Sequence, residues 1–350
     1  MRTELLAALL ATTASLPLLA QQGSATYQLV FQTTWSQSTH PAQFPPNPHF
    51  SPMVGATHGA AVSFWQPNGV ASPGIENMAE TGGTSPLTNE VQAAVNAGTA
   101  GQVLVFGGLG TSPGSLTVQF TATAEQSLLT LVSMLAPSPD WFVGVHGLPL
   151  MANGDWIDDL VIPLQVYDAG TDSGATYLSP DLNTVPQAPI APITTSSGPF
   201  QGLLGPIGTF TLHRLHGTAV YGCNNPSGSL VVAGTARVGQ SLTLSITDPT
   251  AMMTAPSLVA LVLSTGPSAS FPCGTALFGL GLGPVGTPGE ILIASFDIVT
   301  IGPVWTGSPV PIVVSIPAQP SFAMQRFYLQ GLLASDRIGL TRAVSMLVGN

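Results

Sequence analysis

Glycine and proline interrupt this chain about once every five residues, and that spacing limits its fold more than any other feature. The 350 residues include 39 Gly and 32 Pro. The interior of a helix disfavours both residues, whereas short strands joined by turns use both. Between the interruptions lie apolar and β-branched runs of strand length, at residues 27–35, 60–65, 103–106, 115–123, 128–135, 141–146 and 209–215, and later at 229–232, 241–246, 258–263, 291–296, 310–316 and 327–333. The pattern predicts an all-β protein with one short helix over 87–97.

Distinctive residues are concentrated in the first part of the chain. Between Tyr27 and His216 lie four of the five Trp, all six His and eleven of the sixteen acidic residues. From Gly217 to Asn350 the chain is mostly Gly, Pro, Ser, Thr, Val and Leu. This change in composition predicts two antiparallel β-sandwich domains, 27–216 and 217–350.

The N-terminus has the pattern of a secretory signal peptide over residues 1–20. Met1-Arg2 precedes an apolar stretch from Leu5 to Leu19, which is too short to span a bilayer, and polar residues follow Ala20. No later apolar window is long enough to predict a transmembrane segment. The sequence therefore predicts a secreted, extracellular protein. The pair Cys223 and Cys273 is typical of a disulfide in an exported chain and predicts that this bond closes the second domain.

The charge balance excludes one class of partner. The chain has six Arg, no Lys and sixteen acidic residues, for a net charge of −10. Binding of nucleic acid, and docking on anionic lipid by charge, both depend on clustered Lys and Arg. We therefore expect no nucleic-acid partner.

Enzyme signatures are weak, and the sequence predicts a non-enzymatic protein. A Gly-x-Ser-x-Gly pattern occurs at 110–114, but Pro113 has no N–H to donate to an oxyanion. Asp155, Asp158 and Asp159 leave open an acid and base pair of the kind that glycosidases use, although solvated turn carboxylates also explain them. An extracellular hydrolase with supporting calcium is the enzymatic alternative.

A cluster of aspartates is the sharpest chemical feature. Eight of the sixteen acidic residues lie between Glu125 and Asp181. Asp168 and Asp172 flank Gly170 in a loop, and Asp140, in the Pro-Ser-Pro-Asp-Trp segment, ends another loop 28 residues before Asp168. Calcium takes about six to eight oxygen ligands, of which three aspartates can supply half. Capping of the turns by these side chains is the alternative reading.

The same segment resembles a known family. Residues 133–174 include Met-Leu-Ala-Pro-Ser-Pro-Asp140-Trp141, Gly-Asp-Trp156 and Tyr-Asp168-Ala-Gly-Thr-Asp172-Ser-Gly. Upstream lie His49-Phe-Ser-Pro, Phe64-Trp65 and Ala79-Glu80-Thr-Gly82, and downstream lie Tyr177-Leu-Ser-Pro and Thr184-Val-Pro-Gln. In this order the motifs resemble the spondin domain near the N-terminus of F-spondin and mindin, over about residues 27–215.

The resemblance implies a fold, a metal and a role. It implies a C-two-like sandwich, similar to calcium-dependent membrane-binding modules, with calcium held by Asp140, Asp168 and Asp172. Two departures concern loop details, since animal members pair cysteines inside this domain and have His-Trp-Ser where this chain has His49-Phe50-Ser51.

Two other groups of residues have both a functional and a structural reading. His40, His49 and His58 are nine residues apart and suit zinc or copper if they converge, whereas histidines in such loops also bind the backbone. Glu80 is predicted to be structural and to bond loop backbone.

These features together predict a secreted, non-enzymatic calcium-binding protein in extracellular adhesion. Its expected partner is a glycan, protein or lipid ligand on a surface. The alternative is a structural component of an extracellular coat, with calcium purely structural. Residues 217–350 weakly resemble Gly-rich β-modules of exported bacterial proteins, which implies anchoring or sorting.

Overall fold

A computed structural model describes residues 23–193, 198–200 and 206–350. The predicted signal peptide lies outside the described residues. No helix in the described ranges has both the length and the apolar character that a membrane crossing requires.

The described chain consists mainly of strands, with two α-helices. The elements of the first part are Ser24–Thr33 (β1), His49–Phe50 (β2), Val54–His58 (β3), Pro73–Thr81 (α1), Leu87–Asn96 (α2), Ala100–Val105 (β4), Gly114–Thr123 (β5), Leu128–Ala136 (β6), Trp141–Pro149 (β7), Met151–Ala152 (β8), Asp155–Trp156 (β9), Asp159–Leu164 (β10), Val166–Asp168 (β11), Ala191–Pro192 (β12) and Gly208–Tyr221 (β13). The later strands are Leu230–Gly234 (β14), Ser241–Ile246 (β15), Leu258–Ser264 (β16), Thr275–Leu277 (β17), Gly289–Ile291 (β18), Ile298–Ile301 (β19), Val310–Ser315 (β20), Arg326–Ala334 (β21) and Ile338–Leu347 (β22).

Two large antiparallel sheets enclose the first core. An eight-stranded sheet has the order β19-β16-β21-β22-β13-β1-β5, with β10 also on β13, and a seven-stranded sheet has the order β12-β11-β7-β6-β3-β4, with β2 on β6. Buried and partly exposed residues alternate along β1, so that Tyr27, Leu29 and Phe31 face Leu129 and Leu131 in the shared core. The predicted antiparallel β-sandwich class is confirmed.

Both helices pack on the seven-stranded sheet. Ile75 and Met78 of α1 and Val91 of α2 are buried in a cluster with Val132 and Phe142 of the sheet. The helix predicted over 87–97 is confirmed as α2, whereas α1 was not predicted.

Two predicted strands are wrong. Residues 60–65 form a turn and a bend, and Trp65 packs edge-on against Phe142 at 5.0 Å. In 291–296 only Ile291 belongs to a strand, and the buried residues Leu292 and Ile293 cover the face of the eight-stranded sheet. Both apolar runs therefore contribute loops that cover a sheet, and apolar content alone does not distinguish such loops from strands.

One long strand crosses the predicted boundary between domains. β13 pairs with β1 and β10 along its first part, and its residues Gly217–Tyr221 pair with β22. The eight-stranded sheet therefore contains strands from both sides of residue 216, while a second core lies between the small sheet β14-β15-β20 and strands such as β16 and β21. The division at 216/217 stays a prediction.

Four charged side chains join the two parts of the chain. The Arg214 guanidinium is fully buried, and its Nη1 donates to Asp155 Oδ1 at 3.2 Å and to Asp158 Oδ1 at 3.4 Å. Arg326, from β21, donates to Asp155 Oδ2 at 2.6 Å and to both oxygens of Asp158 at 2.7 Å. Asp159 pairs separately with His213 at 2.6 Å. Asp155 and Asp158, open to an acid and base reading in the sequence, therefore engage in structural ion pairs, and Asp159 is hydrogen-bonded to His213.

The structure joins Cys223 and Cys273 in a disulfide, as the sequence predicts, with a Cα–Cα distance of 5.1 Å. The buried Glu290 carboxylate supports this loop, because its Oε2 accepts from the backbone N–H groups of Cys223 and Asn224 at 2.8 Å.

Candidate metal centre

Strand pairing brings Asp140 and Asp168 together. Asp140 ends the loop between β6 and β7, and Asp168 is the last residue of β11. Because β11 pairs antiparallel with β7, Asp168 lies directly opposite Trp141, the neighbour of Asp140. The Ala169 N–H also donates to the Asp140 carbonyl oxygen at 3.1 Å.

The loop that follows β11 wraps around the Asp140 carboxylate. Asp140 Oδ2 accepts from the Thr171 N–H at 2.8 Å, from the Thr171 hydroxyl at 3.3 Å and from the Asp172 N–H at 3.1 Å. Gly170 makes the turn with φ +75°, and its N–H donates to Asp168 Oδ1 at 2.8 Å. The turn requires glycine, because a Cβ there would lie 2.2 Å from the Ala188 carbonyl oxygen.

Gly170→Ala is therefore expected to lower the free energy of unfolding by about 2 kcal/mol and to weaken any calcium response. Gly98→Ala is the matched control, since Gly98 has φ +74° but no atom within 4 Å of the added Cβ. Urea unfolding with and without calcium measures both variants. Equal losses in the two variants would show that the contact with Ala188 does not shape the loop.

Asp140 carries a buried negative charge, and Asp168 beside it is half-buried. Asp140 is fully buried, and its Oδ1 has no hydrogen-bond partner. Burial, together with the charge of Asp168, raises the pKa of Asp140 to about 6. Burial, together with the charge of Asp172, also raises the pKa of Asp168. Within the described ranges, none of the three aspartates forms an ion pair.

Asp172 lies in the same loop but directs its carboxylate mainly to the backbone. Its Oδ1 accepts from the Gly174 N–H at 2.6 Å, and its Oδ2 accepts from the Leu182 N–H at 3.0 Å. The carboxylate oxygens of the three aspartates do not all lie within 4.8 Å of one another. Among the described residues, the group of three whose potential ligand atoms lie that close is Cys223, Cys273 and Glu290. The sulfurs of that group form the disulfide and are not thiolate ligands.

A fourth carboxylate, that of Glu80, faces the same loop. Glu80 lies in the last turn of α1, its Oε1 is buried without a hydrogen-bond partner, and the side chain is hydrogen-bonded to that of Thr171. Burial, and then the charges of Glu76, Asp181 and Asp172, raise its pKa. Glu80 thus bonds a side chain of the aspartate loop, where bonding to loop backbone was predicted.

The donor set suits calcium. Carboxylate oxygens are hard ligands, one buried oxygen of Asp140 lacks a partner, and nearby negative charges lack a cation. The residues that would hold the ion are Asp140, Asp168 and Asp172, with Glu80 behind Thr171.

The three histidines at nine-residue spacing do not form a metal site within the described residues. Each has its own partner, at 2.8 to 2.9 Å: His40 bonds the Thr39 hydroxyl, His49 the Asn47 carbonyl and His58 the Thr130 hydroxyl. Burial lowers the pKa of His40 and of His58. The hydrogen bonds of these histidines to nearby loop and strand residues agree with the structural role that the sequence left open.

Comparison with known proteins covers the domain that holds the aspartates. The family model described as Spondin_N matches residues 25–201. The chain is 35% identical to Spondin-2 of Rattus norvegicus over 177 residues, which are 49% of this chain and 54% of that protein. It is also 35% identical to Spondin-2 of Homo sapiens over 204 residues, 55% of this chain and 62% of that protein, and to Spondin-1 of Gallus gallus over 194 residues, 53% and 24%. The matches therefore span little more than half of the Spondin-2 relatives and about a quarter of Spondin-1.

Proposed function

The chain belongs to the spondin family, and from that premise we propose that it is a secreted, non-enzymatic protein that binds calcium and holds a ligand outside the cell. The proposal assigns the calcium to Asp140, Asp168 and Asp172. The ligand is a glycan, protein or lipid on a cell surface or in the extracellular matrix.

The unpartnered buried oxygen of Asp140 is the observation that carries the calcium assignment. An isolated buried carboxylate is costly, and proteins offset that cost by pairing or by metal coordination. Calcium, when bound, supplies two positive charges to this cluster. Asp140 already orders Thr171 and Asp172 through its other oxygen, so that the loop is held in place around the candidate centre.

A non-enzymatic role is supported because the candidate catalytic side chains form structural hydrogen bonds and ion pairs. Ser112 is buried; its hydroxyl donates to the Trp35 carbonyl oxygen at 2.8 Å and lies within hydrogen-bonding distance, 2.9 Å, of the Thr33 hydroxyl. Asp155 and Asp158 are held by two arginines. Secretion is supported by the signal-peptide pattern of residues 1–20 and by the disulfide.

The proposed binding of a surface ligand is tested by measuring how much purified protein is retained on a panel of immobilised glycans, matrix proteins and neutral or anionic vesicles. Each measurement is made in calcium and in chelator. We expect retention that depends on calcium and is at least tenfold weaker in Asp168→Asn. The exposed Asp336, between β21 and β22, is the matched control, and Asp336→Asn is expected to retain binding. Retention that survives both the chelator and Asp168→Asn would overturn a calcium-dependent ligand.

The second candidate is a structural component of an extracellular coat, in which calcium is purely structural. Exposed apolar side chains between Leu277 and Val304 favour contacts between copies. Assembly beyond a dimer that persists in chelator, without retention on any ligand of the panel, would favour this candidate.

A further inference from the structure

The edge of the eight-stranded sheet at β19 is apolar and open. Ile298, Val299 and Ile301 are 59%, 51% and 58% exposed, although they lie within a strand. Among the described residues, β19 pairs with β16 alone, so its other side has no strand partner. An exposed edge leaves backbone N–H and C=O groups available to another strand.

The features that usually protect such an edge are missing here. Sheet edges commonly carry lysine, an inward-pointing charge or proline within the strand. Residues 265–325 contain two charged residues, Glu290 and Asp297, and neither Arg nor Lys. Glu290 is buried, and Asp297 is bound through its Oδ2 to the Thr265 N–H at 2.9 Å. The β19 strand itself has no charge and no proline.

An apolar cavity of about 140 Å³ opens beside this edge. It is lined by Val262, Leu280, Ile338 and Phe296, among others, and Phe296 is 61% exposed. Val262 is the cross-strand partner of Val299, so the cavity and part of the edge lie on the same face of the sheet.

Two further apolar side chains project from the loop that supplies Leu280. Phe278 is 85% exposed, and Val285 is 87% exposed. We call Phe278, Val285, Phe296, Ile298, Val299 and Ile301 the apolar rim. Phe296 of this rim lines the cavity, and Phe278 lies two residues before Leu280, which also lines it.

We propose that the apolar rim is the contact between two copies of this chain, which pair their β19 strands antiparallel across a two-fold axis. A register centred on Thr300 places Val299 of one copy opposite Ile301 of the other on the same face of the sheet, so that apolar side chains meet. The eight-stranded sheet would then continue into that of the second copy.

Charge and area both favour a second copy as the occupant. Each chain carries a net charge of −10, so two copies repel each other least where charge is sparse; β19 has no charged residue, and the exposed Asp297 lies directly before it. The two exposed phenylalanines alone offer roughly 300 Å² of the roughly 800 Å² per partner that a standard interface buries. Hydrocarbon cannot bond the open backbone groups of an edge strand, whereas another strand can.

Sedimentation equilibrium of the chain from residue 21 onward, over a wide concentration range in calcium and in chelator, tests this contact. We expect a dimer under both conditions, because the aspartates lie on the other large sheet. Val299→Lys is expected to weaken dimerisation about a hundredfold by opposing like charges. Val161→Lys is the matched control, since Val161 is 67% exposed on β10 in the other part of the chain.

Hydrogen exchange provides a second readout. Amides of residues 296–304 are expected to gain protection as the protein concentration rises, whereas those of β10 are not. A wild-type protein that stays monomeric throughout, or equal effects of the two lysine variants, would overturn the proposal. A monomer that binds neutral phosphatidylcholine vesicles, and loses this binding in Val299→Lys and in Phe296→Ser, would also overturn it and assign the rim to lipid.

Discussion

Arg214→Ala is expected to lower the free energy of unfolding by about 3 to 5 kcal/mol, because it leaves part of a buried ion-pair cluster uncompensated. The Arg214 side chain is fully buried, and Asp155, its partner, is 8% exposed. Arg326 still pairs with both aspartates in the variant, but the backbone oxygens of Trp156 and Gly217 also lose their contacts with the guanidinium. Urea unfolding, followed by tryptophan fluorescence, measures the loss.

Two further arginine variants provide comparisons for the loss of unfolding free energy in Arg214→Ala. Arg237→Ala is the control at an exposed arginine and is expected to change stability by less than about 0.5 kcal/mol. Arg326→Ala is expected to have an intermediate effect, because its side chain is 26% exposed. If Arg214→Ala unfolds at the same urea concentration as Arg237→Ala, the cluster does not join the two parts of the chain.

Asp140→Asn is expected to have opposite effects with and without calcium. At neutral pH the folded protein must ionise a carboxyl group whose pKa burial has raised to about 6. Asparagine removes that cost, so the variant is expected to be more stable than the wild type in chelator, by up to about 3 kcal/mol. The same change removes a calcium ligand, and the stabilisation by calcium is expected to disappear.

The pH dependence in chelator has a defined sign. A carboxyl group whose pKa is higher in the folded than in the unfolded state binds its proton more tightly when folded, so its contribution to stability falls as pH rises from about 4 to about 6. We therefore expect the advantage of Asp140→Asn to vanish below pH 4. Asp336→Asn is the control, because a hydrogen bond from Ser335 lowers the pKa of this exposed carboxyl, and it is not expected to gain stability as pH rises. A variant less stable than wild type in chelator at pH 7 would contradict the account of a costly buried charge.

The strands could be predicted from the sequence better than the short helix. The runs predicted at 115–123 and 241–246 correspond to β5 and β15, and a glycine precedes each run in the sequence. Helix α1 has local signals, since the Ser72 hydroxyl caps the Ile75 N–H at 3.2 Å and Gly82 ends the helix with φ +70°. Nine residues are too few for a clear helical period, and burial of Ile75 under the sheet stabilises this helix.

The candidate site was predicted in part. The positions of Asp140, Asp168 and Asp172 follow from loop chemistry and from the family motifs, whereas the contact of Glu80 with Thr171 depends on where α1 packs. Asp155 forms ion pairs with Arg214 and Arg326, which lie 59 and 171 positions later in the sequence. Such distant partners leave no local pattern in the sequence.

The most direct test of the calcium assignment is the thermal unfolding midpoint of the metal-free protein during titration with calcium, with magnesium as the control ion. Binding to the folded state alone stabilises by about 2.7 kcal/mol at a hundredfold excess over Kd, which predicts a calcium-selective rise of about 4 °C for a chain of this length. The rise is expected to vanish in Asp168→Asn. An unchanged midpoint, in wild-type protein shown to be free of metal by elemental analysis, would contradict calcium binding at Asp140, Asp168 and Asp172.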